Sequence, residues 1–152
     1  MDLREVLPRV LPEAIAWAKA QEAVGAELGR PLNEHAVSIA LAVGVYRPER
    51  IRLVRAYDLP WPGDPLLRKV AKSAGFLGSD TIGVTFGYSV FIRSGQDSPR
   101  VQAHEFRHVR QYEDAGSFSA FLERYFSQIA SVGYIHADLE KDAKRCEKYG
   151  VP

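Results

Sequence analysis

The sequence has one cysteine, one methionine, almost no net charge and no long apolar run. The single cysteine, Cys146, excludes an intramolecular disulfide and fits a reducing compartment. Its 20 basic and 19 acidic side chains nearly cancel, so the overall charge favours neither nucleic acid nor anionic lipid. The longest apolar stretch, residues 38–46, is much shorter than the roughly 20 residues that a membrane span needs. We therefore expect a cytoplasmic protein without a nucleic-acid or membrane partner.

The spacing of apolar residues predicts a chain that is mostly helical. Residues 12–28 follow a helical period, and the sequence is again helical from Ser98 onward. Residues 51–57 alternate apolar side chains with arginines, which indicates a strand. Residues 81–95 are rich in β-branched and aromatic residues, and Gly87 marks a bend between two strands or a bulge in one strand.

This order of elements predicts an α+β fold with a small antiparallel sheet packed on a long helix. No internal repeat or linker divides the chain, so we expect one domain over residues 1–152. Residues 1–75 would form a helical scaffold, and residues 80–149 would carry the functional core.

The stretch HEFRH, residues 104–108, lies in a helix predicted over residues 99–115. Residues four apart share one face of a helix, so His104 and His108 can offer their imidazoles to one ion such as zinc. Glu105 is displaced sideways, which suits a base that deprotonates a metal-bound water before it attacks a carbonyl. HExxH is a known metallopeptidase signature, although the same letters also occur by chance in ordinary charged helices.

A third ligand separates these two interpretations, because catalytic zinc usually has three protein ligands and a water. Asp114 lies six residues beyond His108, where metzincin peptidases carry a ligand, but Gln111 stands where their chain needs a glycine to turn back. His136 is available but could equally be an exposed residue at the start of a helix. Glu140 is either a ligand that faces the imidazoles or one charge on a solvated helix face.

Four stretches of the sequence, in chain order, are GYSVFIRSG, HEFRHVRQY, FLERYFSQIA and YIHADLEKDA. Together they resemble the gluzincin clan of zinc metallopeptidases, and in particular small bacterial members whose substrates are mostly unknown. The resemblance covers about half of the chain, and HExxHxxQY followed by LExxA is more specific than HExxH alone. It implies that His104, His108 and Glu140 bind one zinc ion and that Glu105 is the general base.

The resemblance also implies two supporting roles. In gluzincins an edge strand before the HExxH helix binds extended peptide by strand addition, which would fall to part of residues 84–93. The alternative is a hairpin that only covers the core. Tyr134, six residues before Glu140, would stabilise an oxyanion through its hydroxyl, or else it packs at a helix end.

The sequence departs from larger gluzincins at Lys144, where many of those enzymes carry an acid that orients a ligating histidine. The orienting group must then come from elsewhere, and the candidates are Asp114, Asp138 and Asp142. We predict a zinc-dependent hydrolase that acts on a peptide or protein. The alternative is a non-catalytic binding or scaffold domain, in which His136 or Asp138 would close the fourth zinc position.

Overall fold

The computed structural model describes residues 1–151, which form an α+β fold that is mostly helical, as predicted. The elements in chain order are α1 (Leu3–Leu28), α2 (Glu34–Ala42), a 3-10 helix (Pro48–Arg50), β1 (Arg52–Ala56), α3 (Pro65–Ser73), β2 (Gly83–Phe86), β3 (Ser89–Arg93), α4 (Pro99–Ala115), α5 (Phe118–Val132), α6 (Asp138–Cys146) and a 3-10 helix (Glu147–Gly150). None of the helices in residues 1–151 is both long and apolar enough to cross a bilayer.

The three strands form one mixed sheet in the order β1-β3-β2, so the prediction of an antiparallel sheet is wrong for one of its two pairings. β2 and β3 are antiparallel and are joined by a tight turn in which Gly87 has a φ of 61°. β1 pairs in parallel with β3. The chain between β1 and the hairpin is long enough to include α3, so it can return to the same end of the sheet.

The first helix begins nine residues before the predicted start at residue 12, at Leu3, and includes Pro8 and Pro12. Proline inside a helix removes a backbone hydrogen bond, which is why the sequence indicated a later start. Both prolines lie on the exposed face, where water can satisfy the carbonyl groups that lose their partners. Leu7 and Val10 are buried on the opposite face, and this packing holds the early turns in the helix.

The two faces of the sheet pack against different helices, because side chains alternate along each strand. On one face Phe91 packs with Phe86, whose ring lies edge-on to Trp17 of α1 at 5.4 Å. On the other face Val90 and Ile92 share a core cluster with apolar residues of α4 and α2. The sheet therefore packs against one side of α4, and the opposite side of α4 can contact other elements.

Residues from both halves of the chain form the sheet. β1 comes from the predicted scaffold region, residues 1–75, and pairs with β3 from the predicted core region, residues 80–149. Ser98 caps the start of α4 by accepting a hydrogen bond from Val101 N, and the predicted helix end at Gly116 is confirmed by a φ of 84°. The predicted domain ends at residue 152, which lies outside the described residues.

Candidate metal centre

Three side chains that could ligate a metal converge between α4 and α6. His104 and His108 come from α4, and Glu140 comes from the first turn of α6. One ligand atom from each lies within 4.8 Å of the others. His104 Nε2 is 3.1 Å from Glu140 Oε1, and His108 Nε2 is 3.1 Å from Glu140 Oε2. The packing of α6 against α4 thus brings the carboxylate to the two imidazoles.

Gln111 fixes the orientation of His108. Its side-chain Nε2 donates to Leu139 O and to Asp142 Oδ2, both at 2.9 Å. Since both of those partners are acceptors, the amide oxygen must be the atom that faces His108 Nδ1 at 2.8 Å. His108 Nδ1 therefore carries a hydrogen, and Nε2 is the nitrogen left for a cation.

The ring of His104 is oriented in the same way by Glu147, which accepts a hydrogen bond from the ring Nδ1. Its Nδ1 lies 2.9 Å from Glu147 Oε2, and a carboxylate can only accept here, so Nδ1 carries a hydrogen. His104 Nε2 faces Glu140. The two rings thus present the same nitrogen to the same carboxylate.

None of the three aspartates that were candidates for the orienting group contacts a histidine of the group. Asp114 is bound by Arg110 Nε at 2.9 and 3.0 Å, on the exposed side of α4. Asp138 is exposed, and Asp142 acts only indirectly, through Gln111. The direct partners of the two histidines are instead a glutamine and a glutamate, whose longer side chains reach from other positions.

This arrangement requires a positive charge between the rings and the carboxylate. With hydrogen on both Nδ1 atoms, the Nε2 lone pairs would otherwise point at the oxygens of Glu140. In the metal-free protein a proton on each Nε2 supplies the charge. Against the opposing effect of burial, the hydrogen bond to Glu140 raises the pKa of His104. Burial opposes a charged His108, but Glu140 outweighs it and raises the pKa of His108 to about 9. Burial likewise opposes a charged Glu140, but the charge of His108 and hydrogen bonds from both histidines and Tyr125 lower its pKa.

The group also fits a zinc ion. Zinc takes imidazole nitrogen and carboxylate oxygen at about 2.0–2.2 Å, so two ligands of a tetrahedral site lie roughly 3.3–3.5 Å apart. The two nitrogen–oxygen distances of 3.1 Å, each to a different oxygen of Glu140, are close to this value. The three ligand atoms lie within 4.8 Å of one another, so the side chains would have to draw together around the ion.

Tyr125 of α5 is a part of the centre for which the sequence analysis predicted no role. Its hydroxyl donates to Glu140 Oε2 at 2.7 Å, and the side chain is buried. Burial and the nearby Glu140 raise its pKa, so the hydroxyl keeps its proton. One signal was present in the sequence, since Tyr125 lies on the apolar face of α5 and a buried tyrosine hydroxyl needs a partner.

Glu105 lies beside the group, displaced sideways as its position in the motif indicated. Thr85 Oγ1 of β2 lies 2.8 Å from Glu105 Oε1 and 3.2 Å from the Glu105 carbonyl oxygen. Gly83 of the same strand leaves room for this side chain, because a Cβ there would lie 3.0 Å from Glu105 Cγ. β2 thus holds one oxygen of the carboxylate through a hydroxyl.

An open groove with a volume of about 540 Å³ runs over this part of the molecule, and its lining includes His104, Glu105 and Gly83. Tyr134 is half-buried and lines the same groove. Burial and the charges of Glu140 and Glu105 raise the pKa of Tyr134, so its hydroxyl stays protonated. The groove gives solvent and ligands access to the candidate base and to one of the histidines.

The region in which we predict strand addition, part of residues 84–93, contains most of β2 and all of β3. β3 occupies the centre of the sheet and is paired on both sides, so it cannot accept another strand. β2 is an edge strand, and its Gly83 lines the groove. The Thr85 carbonyl, which the antiparallel alternation turns to the same edge as Gly83, accepts from the Tyr112 hydroxyl at 3.4 Å. Only the start of β2, at Gly83 just before the predicted region, is therefore available for pairing with a peptide.

His136 and Asp138, the two residues considered for closing the fourth position, are exposed and do not join the group. Within residues 1–151, the metal-capable group consists of His104, His108 and Glu140. No protein-family model matches the chain, and no curated protein or solved structure matches it either. The chemistry of this centre and the motifs of the sequence are therefore the features that indicate function.

Proposed function

We propose that the protein is a zinc-dependent hydrolase of the gluzincin type and that it cleaves peptide bonds. The observation that carries the proposal is the convergence of two imidazoles, both with hydrogen on Nδ1, on the carboxylate of Glu140. His104, His108 and Glu140 would hold one zinc ion. When bound, zinc supplies a Lewis acid that acidifies a water molecule and polarises a carbonyl group.

In this proposal Glu105 is the general base. Thr85 holds Oε1, which leaves Oε2 to take a proton from the attacking water and to pass it to the leaving amine. The hydroxyl of Tyr134 would donate a hydrogen bond to the oxygen that becomes negative in the transition state. This assignment is supported by the location of both side chains in the lining of the same groove.

The proposed substrate is an extended peptide or a protein segment that pairs with the start of β2, at Gly83. Ile82 O accepts a hydrogen bond from Arg93 N, so the alternation of the antiparallel ladder turns the backbone groups of Gly83 toward the free edge. A peptide paired there would pass next to Glu105, since Gly83 and Glu105 line one groove. Cleavage in the cytoplasm is part of the proposal, in keeping with the single, free cysteine.

The alternative of a non-catalytic scaffold domain receives less support. A structural zinc site normally has four protein ligands, whereas a catalytic site keeps one position open. The group contains three metal-capable side chains among the described residues, and a groove opens beside it. An open position next to a carboxylate base favours hydrolysis.

The proposal is tested by digesting a mixed library of unmodified peptides with the zinc-loaded protein. New termini are identified by mass spectrometry, and Glu105→Gln is the matched control because it keeps the size of the side chain. We expect cleavage by the wild type and no cleavage by Glu105→Gln at equal zinc content. Equal cleavage by both proteins, or none by a zinc-loaded wild type, would contradict the proposed peptidase activity.

A further inference from the structure

We propose that Glu147 is the positioning residue that prepares His104 to bind zinc, so that the 3-10 helix Glu147–Gly150 belongs to the metal centre. The inference rests on the proposed function, because it concerns the same zinc site. It assigns a role to a residue that lies outside both the HExxH and the LExxA motifs.

The Glu147 carboxylate has a defined partner for each oxygen. Oε2 accepts from His104 Nδ1 at 2.9 Å, and Oε1 accepts from Arg100 Nε at 2.8 Å. Lys144 Nζ lies 3.7 Å from Oε1. Only 14% of the Glu147 side chain is exposed, against 62% for Arg100 and 70% for Lys144. The carboxylate is thus held from two directions at the wall of the groove, unlike a mobile ion pair on the surface.

The backbone that carries Glu147 is also fixed. Gly150, at the end of the same 3-10 helix, packs directly on the first turn of α4, and a Cβ at residue 150 would lie 2.1 Å from Pro99 O. Such close backbone packing is possible only for glycine. It sets the distance between the 3-10 helix and α4, and therefore the position of the carboxylate relative to His104.

The chemistry of imidazole explains why this contact matters. A neutral imidazole places its hydrogen on either nitrogen, and only the form with hydrogen on Nδ1 presents Nε2 to a metal on this side of the ring. Gln111 selects that form for His108, but it makes no contact with His104. Glu147 selects it for His104 and also limits rotation of the ring. Partners of this kind typically contribute 10–100-fold to metal affinity.

The test measures zinc affinity by competition with a chromogenic chelator for the wild type, Glu147→Ala and Glu147→Gln. The control is Glu113→Ala. Glu113 is also a glutamate with several hydrogen bonds, from Tyr46 N, Arg47 N and the Tyr88 hydroxyl, but it contacts none of the proposed ligands. The absorption spectrum of the cobalt(II)-substituted proteins provides a second readout, because it reports ligand geometry directly.

We expect zinc to bind Glu147→Ala about 10–100-fold more weakly than the wild type, with an altered cobalt spectrum. The zinc affinity of Glu147→Gln should lie between those of the wild type and Glu147→Ala, because a single amide oxygen must accept from both His104 and Arg100. If Glu147→Ala does not fold, Glu147→Gln is measured in its place. Glu113→Ala should keep wild-type zinc affinity and spectrum while its thermal stability falls.

Two results would overturn the inference in distinguishable ways. If the wild type binds one zinc and both Glu147 variants bind it equally well, the positioning role is wrong and the proposed zinc site stands. If the wild type itself binds no zinc, the proposed function fails, and the role of Glu147 fails with it.

Discussion

Replacing Gln111 with methionine tests the coupling between the two helices that carry the proposed ligands. Methionine has a similar length and fills the buried space, but it cannot replace the amide. The substitution removes the acceptor of His108 Nδ1 and the donor to Leu139 O and Asp142 Oδ2. It therefore weakens the attachment of α6 to α4 and releases the ring of His108 from its fixed orientation.

The size of the effect follows from the three hydrogen bonds. Each contributes a net ~0.5–1.5 kcal/mol, so Gln111→Met should lower the free energy of unfolding by about 2–4 kcal/mol. For a chain of this length 1 kcal/mol corresponds to about 2–4 °C in Tm, which gives a decrease of roughly 4–16 °C. Loss of the partner of a metal-ligating histidine should weaken zinc binding by about 10–100-fold.

Gln128→Met is a matched control, because Gln128 Oε1 accepts from Leu139 N at 2.9 Å, on the same residue of α6. It removes one hydrogen bond and touches no proposed ligand, so we expect a loss of about 1 kcal/mol and unchanged zinc affinity. Thermal unfolding of the metal-free proteins and chelator competition measure the two effects. Equal zinc affinity in both glutamine variants would refute the role of Gln111.

Three further predictions concern other parts of the centre. Thr85→Val should reduce kcat of peptide cleavage about 10–100-fold with zinc content unchanged, because Glu105 loses its hydroxyl partner, and Thr85→Ser should restore the rate. Tyr125→Phe removes a hydrogen bond to the Glu140 carboxylate and should lower the Tm of the metal-free protein as well as its zinc affinity, whereas an unchanged affinity would argue against the contact. In the metal-free protein burial opposes a charged His108, but Glu140 outweighs it and raises the pKa of His108 to about 9. The unfolding free energy should therefore be highest between about pH 4.3 and 6.5, the ordinary pKa values of glutamate and histidine, and should fall as the pH rises toward 9. A metal-free protein that is equally stable at pH 6.5 and 9 would contradict this ionisation.

Local sequence patterns predicted the elements around the centre well. The helix predicted over residues 99–115 is present as α4, which Ser98 caps through its side-chain oxygen and which Gly116 follows with a positive φ. These features depend on a few neighbouring residues and their hydrogen bonds, so they can be predicted from the local sequence. The spacing of four between His104 and His108 likewise fixed their common helix face.

Features that depend on distant parts of the chain were predicted less well. The pairing of β1 with β3 joins segments that are far apart in sequence, and apolar periodicity does not encode which strands become neighbours. The early start of α1 is another such feature, because proline locally disfavours a helix, whereas the packing of Leu7 and Val10 holds residues 3–11 in it.

The partners of the candidate ligands show the same limit. Glu147 belongs to a run of charged residues that is typical of an exposed surface. Only the close packing of the 3-10 helix on α4 turns its carboxylate toward His104. Tyr125 is an apolar-face residue by its spacing, and only the position of α6 gives its hydroxyl the carboxylate of Glu140. Geometry of this kind arises from tertiary packing, to which a single sequence gives no direct access.

The most direct measurement is the metal content, by mass spectrometry, of protein purified without a metal-affinity tag and supplied with zinc. We predict about one zinc per chain in the wild type and in Glu105→Gln, and loss of zinc in Glu140→Ala. Thermal unfolding of the same samples verifies that each variant is folded. A folded wild type without zinc, or a Glu140→Ala variant that keeps it, would contradict the proposed metal centre.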